Sequence, residues 1–151
     1  MPPDPTDPGE RDAFPPFRSV LRAEAAEAAR VREDVVLFCE STGVPGPAVE
    51  DVALALAEAL DNAIEHGAAG RPGEELVVEA AVEAGWVRLA VRDRGPEFDP
   101  TKAPDLSAVP LEERHFGGFG LKLVRGLVDE MRYERRDGEN RLHLAKRIPQ
   151  G

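Results

Sequence analysis

Between Val49 and His66 the apolar residues Val49, Val52, Ala53, Leu56, Leu60, Ala63 and Ile64 recur in steps of three and four. Such positions share one stripe only in a helix, and the stripe must then be buried against another element. The polar residues of the segment constrain the chain further. Glu58, Asn62 and His66 follow one another in steps of four, so they line one helix face that partly overlaps the buried side. Asn is a mediocre helix former, and a buried carboxamide has four hydrogen-bonding sites to satisfy. A carboxylate, a carboxamide and an imidazole in a row therefore read either as a solvated helix edge or as a chemical site.

The remaining periodicities set what this helix packs against. Phe17 to Arg22 reads as a short first strand, and Ala23 to Thr42 as a helix ended by Gly43-Val44-Pro45-Gly46-Pro47. The second helix runs from about Ala48 to His66, with Gly67 placed to close it. After the connection Ala68–Gly73 the period changes from about 3.6 to 2. Leu76, Val78, Ala80 and Val82 alternate with Val77, Glu79, Ala81 and Glu83, then Ala84-Gly85 turns the chain. Val87, Leu89 and Val91 alternate with Trp86, Arg88, Ala90 and Arg92, and the next residue on the apolar face is Asp93. Strand parity thus aims a carboxylate inward, where it needs hydrogen-bond donors, either from the loop Arg94-Gly95-Pro96 or from a ligand. The chain closes with a hairpin, Met131 to Arg136 and Asn140 to Ile148, about the turn Asp137-Gly138.

Two stretches lack a period. Met1 to Pro16 is rich in Pro and acidic residues and is expected to be a disordered arm preceding a single domain, residues 17–149. The stretch from Asp93 to Phe116 carries Pro96, Pro100, Pro104 and Pro110 and is long for a connection, which suggests a lid or binding loop. It leads into Gly117-Gly118-Phe119-Gly120 and the helical pattern that starts at Leu121. Glycines at a helix start let backbone amides approach an anion, although such a cluster is often only a turn.

Composition excludes some functions. A net charge of −10 argues against a nucleic-acid binder held by phosphate contacts. It leaves nucleotides open, because Mg²⁺ and backbone amides neutralise phosphates locally. The single cysteine, Cys39, sits among Val35, Val36, Leu37 and Phe38 and reads as a core thiol. No apolar run reaches membrane-spanning length and no signal peptide opens the chain, so no membrane contact and a cytoplasmic location are expected.

Glu58 with Asn62, Asp93 with Gly95, and Gly118 with Gly120 resemble, in order and spacing, the Bergerat-type ATP-binding domain of gyrase, the Hsp90 chaperone, histidine kinases and the mismatch-repair ATPase. Within that superfamily the chain is most similar to the small bacterial anti-sigma-factor serine/threonine kinases of the stress-response and sporulation type. The resemblance spans Phe17 to Ile148, and the tail from Tyr133 to Leu142 shares it. It implies an α+β fold, a two-layer α/β sandwich with a mixed, mostly antiparallel sheet and helices on one face.

The resemblance also implies roles. Asn62 would hold Mg²⁺ through its side-chain oxygen, a hard ligand of the kind this ion prefers. Glu58 would orient or deprotonate the nucleophile. Asp93 would accept the adenine amino group, Gly95 would let the ring approach, and Phe98 would border the nucleotide. Gly117, Gly118, Phe119, Gly120 and Leu121 would lie at the phosphates, beneath a lid of about Glu97 to Phe116. His66 would either contact phosphate or make a structural hydrogen bond near the helix end. Glu65 departs from the basic residue common in histidine kinases, and Glu97 from a second glycine. With no helical phosphoacceptor domain ahead of the ATP domain, an autophosphorylating histidine kinase is not expected. The implied activity is ATP-dependent phosphorylation of a Ser or Thr on an anti-sigma-factor antagonist, with capture of a sigma factor and a possible homodimer. The alternatives are a nucleotide-gated binding module with little phosphotransfer and an adaptor that has lost ATP.

Overall fold

The computed structural model describes residues 17–67, 73–102 and 124–149. The expected arm at residues 1–16 and the glycine cluster Gly117–Gly120 lie outside them. The described elements are β1 (Phe17–Arg22), α1 (Ala25–Ser41), α2 (Gly46–Asn62), a π-helical turn (Ala63–Gly67), β2 (Glu75–Glu83), β3 (Trp86–Asp93), β4 (Glu130–Arg136) and β5 (Glu139–Arg147). The five strands form one sheet in the order β1-β2-β3-β5-β4, and every pairing is antiparallel.

Local chemistry places the element ends. α1 stops where Gly43 takes φ +84°, a left-handed conformation that costs glycine little. The Thr42 hydroxyl and the Thr42 and Val44 amides satisfy the last carbonyls, those of Phe38 and Cys39. α2 carries Pro47 in its first turn, where a missing N–H is not needed. The β2–β3 turn uses φ +51° at Ala84 and +84° at Gly85, and the β4–β5 turn uses +53° at Asp137 and +77° at Gly138. Two successive positive φ values give a two-residue hairpin the twist that matches its strands.

Both helices pack on one face of the sheet. Their stripes, Val31, Val35 and Cys39 on α1 and Val52, Leu56 and Leu60 on α2, join Leu21, Leu76, Val78, Val87, Leu89, Val91, Leu142 and Leu144 in one core. Ala55 and Ala59 are wholly buried, whereas Ala53, expected in the stripe, is only partly so. Alanine weighs little in an apolar count, yet it lets the α2 backbone approach the sheet closely. Burial raises the Cys39 thiol to about 11, so it is inert packing.

The opposite face is ionic. The polar alternation of the strands becomes a cross-strand ladder. Arg92 donates to Glu79 at 3.0 Å and to Glu139 at 2.9 Å, Arg141 donates to Glu139 at 2.9 Å, and His143 meets Glu134 at 3.0 Å. Burial pushes the Glu139 carboxyl up, but the hydrogen bonds from Arg92 and Arg141 outweigh it and hold it below its usual 4.5.

Glu139→Gln leaves Arg92 half-compensated and is expected to cost about 1–3 kcal/mol near neutral pH. Because the folded carboxyl is more acidic than the unfolded one, its contribution is full above the ordinary value of 4.5 and fades as pH falls through the lower folded value. Urea unfolding of both proteins should therefore show a stability gap at neutral pH that narrows in acid. A gap that widens in acid would reject the assignment.

Candidate functional site

α2 and β3 end side by side, and their last residues wall a pocket. Asn62, His66, Asp93, Phe98, Tyr133 and Asn140 line it, with Val91 and Leu142 from the sheet. Asn62 is the final α-helical residue, 7 % exposed, and no side chain or backbone group among the described residues hydrogen-bonds its carboxamide. A buried carboxamide on a pocket wall, with no partner among the described residues, is a group available to a ligand. Glu58, one turn earlier on the same helix, is half-buried.

Asp93 ends β3 with its side chain on the core face, 7 % exposed, as strand parity requires. Its Oδ1 accepts the Gly95 amide at 2.9 Å and the Asn140 Nδ2 at 2.9 Å. The loop-capping role that the sequence left open is thus real, and it occupies one of the two carboxylate oxygens. The other has no hydrogen-bond donor among the described residues. The Gly95 carbonyl accepts the Arg135 Nη1 at 2.6 Å, which fastens the loop to β4.

Among the described residues the His66 side chain makes a ring contact and not the structural hydrogen bond that was one of its two expected roles. α2 does not continue as an α-helix to His66 but widens into the π-helical turn Ala63–Gly67. The i→i+5 pitch carries the chain round more slowly, a feature common near functional sites. The imidazole lies flat on Phe98, with ring centroids 4.2 Å apart and planes 15° from parallel. Its Nε2 lies 4.0 Å from the Glu65 carboxylate. Phe98 is 37 % exposed and is held by its amide, which donates to the Asn140 Oδ1 at 3.3 Å. Glu97 is exposed. Gly117, Gly118, Phe119, Gly120 and Leu121 lie outside the described residues.

Sequence reasoning missed Asn140. It pairs with Asp93 across β3 and β5 and is 5 % exposed. Its Nδ2 also donates to the Pro96 carbonyl at 2.8 Å, and its Oδ1 also accepts the Tyr133 hydroxyl. The alternation of Asn140, Leu142 and Leu144 on β5 placed it on the apolar face, the same signal that singled out Asp93.

The antiparallel sheet backed by two helices thus carries a pocket between the layers, with a carboxamide at the last helical turn and an inward carboxylate at the end of a central strand. Residues 21–146 match the histidine kinase-like ATPase domain, and the chain belongs to that family. It is 37% identical over 92 residues to the serine/threonine-protein kinase BtrW of Bordetella bronchiseptica, covering 58% of this chain and 63% of that protein. It is 28% identical over 95 residues to the serine-protein kinase RsbW of Oceanobacillus iheyensis, covering 60% of each. The chain thus spans about three fifths of the length of these curated relatives. The crystal structure of the RsbU and RsbW domains of Rv1364c from Mycobacterium tuberculosis superposes with a TM-score of 0.66 at 26% identity, over 91% of this chain and 34% of that one.

The two asparagines of the pocket should behave oppositely in stability. Asn62→Ala removes no hydrogen bond among the described residues and improves helix propensity, so thermal unfolding should show no loss and a gain of up to about 0.7 kcal/mol. Asn140→Ala orphans the Phe98 amide and the Pro96 carbonyl and should cost about 2 kcal/mol. A large loss from Asn62→Ala would mark it as a structural residue.

Proposed function

We propose that this domain, residues 17–149, binds Mg-ATP in the pocket and transfers the γ-phosphoryl group to a Ser or Thr hydroxyl of an anti-sigma-factor antagonist. The proposal includes capture of a sigma factor, action as a homodimer, and a cytoplasmic setting. None of the described helices is long and apolar enough to cross a membrane. The observation that carries the reading is the pairing, in one pocket, of an Asn62 carboxamide and an Asp93 carboxylate oxygen that have no hydrogen-bond partner among the described residues. Family membership supports ATP as the nucleotide, and the kinase names of the relatives support phosphotransfer.

The residues fit these tasks. The free Asp93 oxygen accepts an exocyclic amine at the base edge. The Asn62 oxygen is a suitable hard ligand for Mg²⁺, which when bound would neutralise phosphate charge. Glu58, one helical turn earlier, takes the proton of the attacking hydroxyl as the new O–P bond forms and the bond to the β-phosphate oxygen breaks, releasing ADP. Gly118, Phe119 and Gly120 would give amides to the phosphates, with Gly117 and Leu121 beside them. Glu97–Phe116 would form the lid.

Calorimetry should show ATP preferred over GTP by about tenfold or more, because the guanine carbonyl would face a carboxylate oxygen. Asn62→Ala should abolish the Mg²⁺ dependence of ATP affinity in a folded protein. Equal affinity for the two nucleotides would remove Asp93 from base recognition.

Glu58→Gln keeps size and most hydrogen bonding but loses the proton acceptor. It is expected to lower phosphotransfer about a hundredfold or more with ATP affinity nearly unchanged, the mark of a contact made in the transition state. Mass spectrometry of the antagonist after incubation with Mg-ATP reads the result. Phosphorylation at the parent rate would sink the general-base role. No phosphorylation by the parent with any cognate antagonist would leave a nucleotide-gated binding module.

A further inference from the structure

We propose that Asn140 is a positioning residue that locks Asp93 as a one-sided acceptor and so sets the base selectivity of the pocket; this rests on the nucleotide reading above. The orientation of its carboxamide is fixed by partners that have no choice. The Phe98 amide can only donate, so it requires the Asn140 oxygen, and the Pro96 carbonyl can only accept, so it requires the nitrogen. With the Tyr133 hydroxyl on the oxygen and Asp93 on the nitrogen, all four hydrogen-bonding sites are used. A flipped amide would set N–H against N–H and oxygen against carbonyl.

The consequence falls on Asp93. Its Oδ1 takes two N–H donors, from Gly95 and Asn140, both at 2.9 Å. Rotation of the carboxylate would break both bonds in a buried setting. The oxygen left to a ligand therefore has a fixed direction and acts only as an acceptor. A purine with an exocyclic amine at that edge is bound, a purine with a carbonyl there is repelled, and a purine with neither loses the contact. Because the same carboxamide holds Pro96 and Phe98, the loop after Asp93 and the oxygen that reads the base are set by one side chain.

A merely structural asparagine would weaken all purine nucleotides in parallel, whereas a positioning residue changes their ratio. The test is calorimetric titration of the full chain with ATP and with purine riboside triphosphate, which lacks the amine. The parent, Asn140→Ala and the similarly shaped Asn140→Leu are compared. The parent should prefer ATP by about tenfold or more, the value of one well-placed charged hydrogen bond. Both variants should bring that preference within about threefold, chiefly by loss of ATP affinity. Partial unfolding lowers both affinities by the same fraction, so the ratio stays readable in a destabilised variant. A parent-like ratio in either variant would overturn the role of Asn140 and leave the nucleotide reading intact. A parent that binds neither nucleotide would overturn the nucleotide reading and this inference with it; a parent that binds both equally would overturn this inference and the base-reading role of Asp93 while leaving nucleotide binding in place.

Discussion

The register of β3 against β5 is the constraint on which the site depends. It sets Val91 opposite Leu142 and Asp93 opposite Asn140. Side chains alternate with period two, so a slip of β5 by one residue against β3 would send Leu142 and Leu144 to the ionic face and bring Arg141 into the core. The apolar pairs thereby hold the polar pair in place. Asp93 and Asn140 are the last residues on the core face before the sheet ends, where the carboxylate meets the loop amide of Gly95 instead of another strand. The same register gathers Arg92, Arg141 and Glu139 on the other face, so core and ladder enforce one alignment from opposite sides.

The helix layer is matched to this sheet by small residues. Ala55, Ala59 and Ala63 face inward on α2 and its continuation, beside Leu56 and Leu60. A helix surfaced with alanine lies close to the strands, which brings Asn62 within one pocket of Asp93. Leu56, wholly buried, carries the cost of an error, since a Leu→Ala change in such a core costs about 2–5 kcal/mol. Lys146 reaches Asp51 at 3.1 Å and ties the start of α2 to β5, far from the pocket.

Much of the fold was legible because periodicity is local. The strand starting at Phe17, both helices, the hairpin from Leu76 to Asp93 and the final hairpin all follow from spacing and turn residues. The inward aim of Asp93 is a parity argument that needs no partner strand. What escaped depends on contacts distant in sequence. Asn140 takes its meaning from Asp93, 47 residues earlier. The stack of His66 on Phe98 needs the π-helical turn, whose wider pitch leaves no mark in the apolar pattern. The positive φ of Ala84 is set by the hairpin itself, whose twist overrides the preference of a residue with a Cβ.

The pocket walls differ in how much they can adjust. The floor, Asp93 with Asn140, is buried and joined by hydrogen bonds that would each leave an orphan if broken. The side formed by His66 and Phe98 is a ring stack, worth about 0.5–1.5 kcal/mol beyond its buried area. Phe98 is more than one third exposed, so little else restrains its ring. A ligand that replaced that stack with its own ring would recover most of what it displaced, whereas one that disturbed the floor would have to satisfy several buried polar groups at once. Geometry is therefore fixed at the floor, and adjustment costs least at the side.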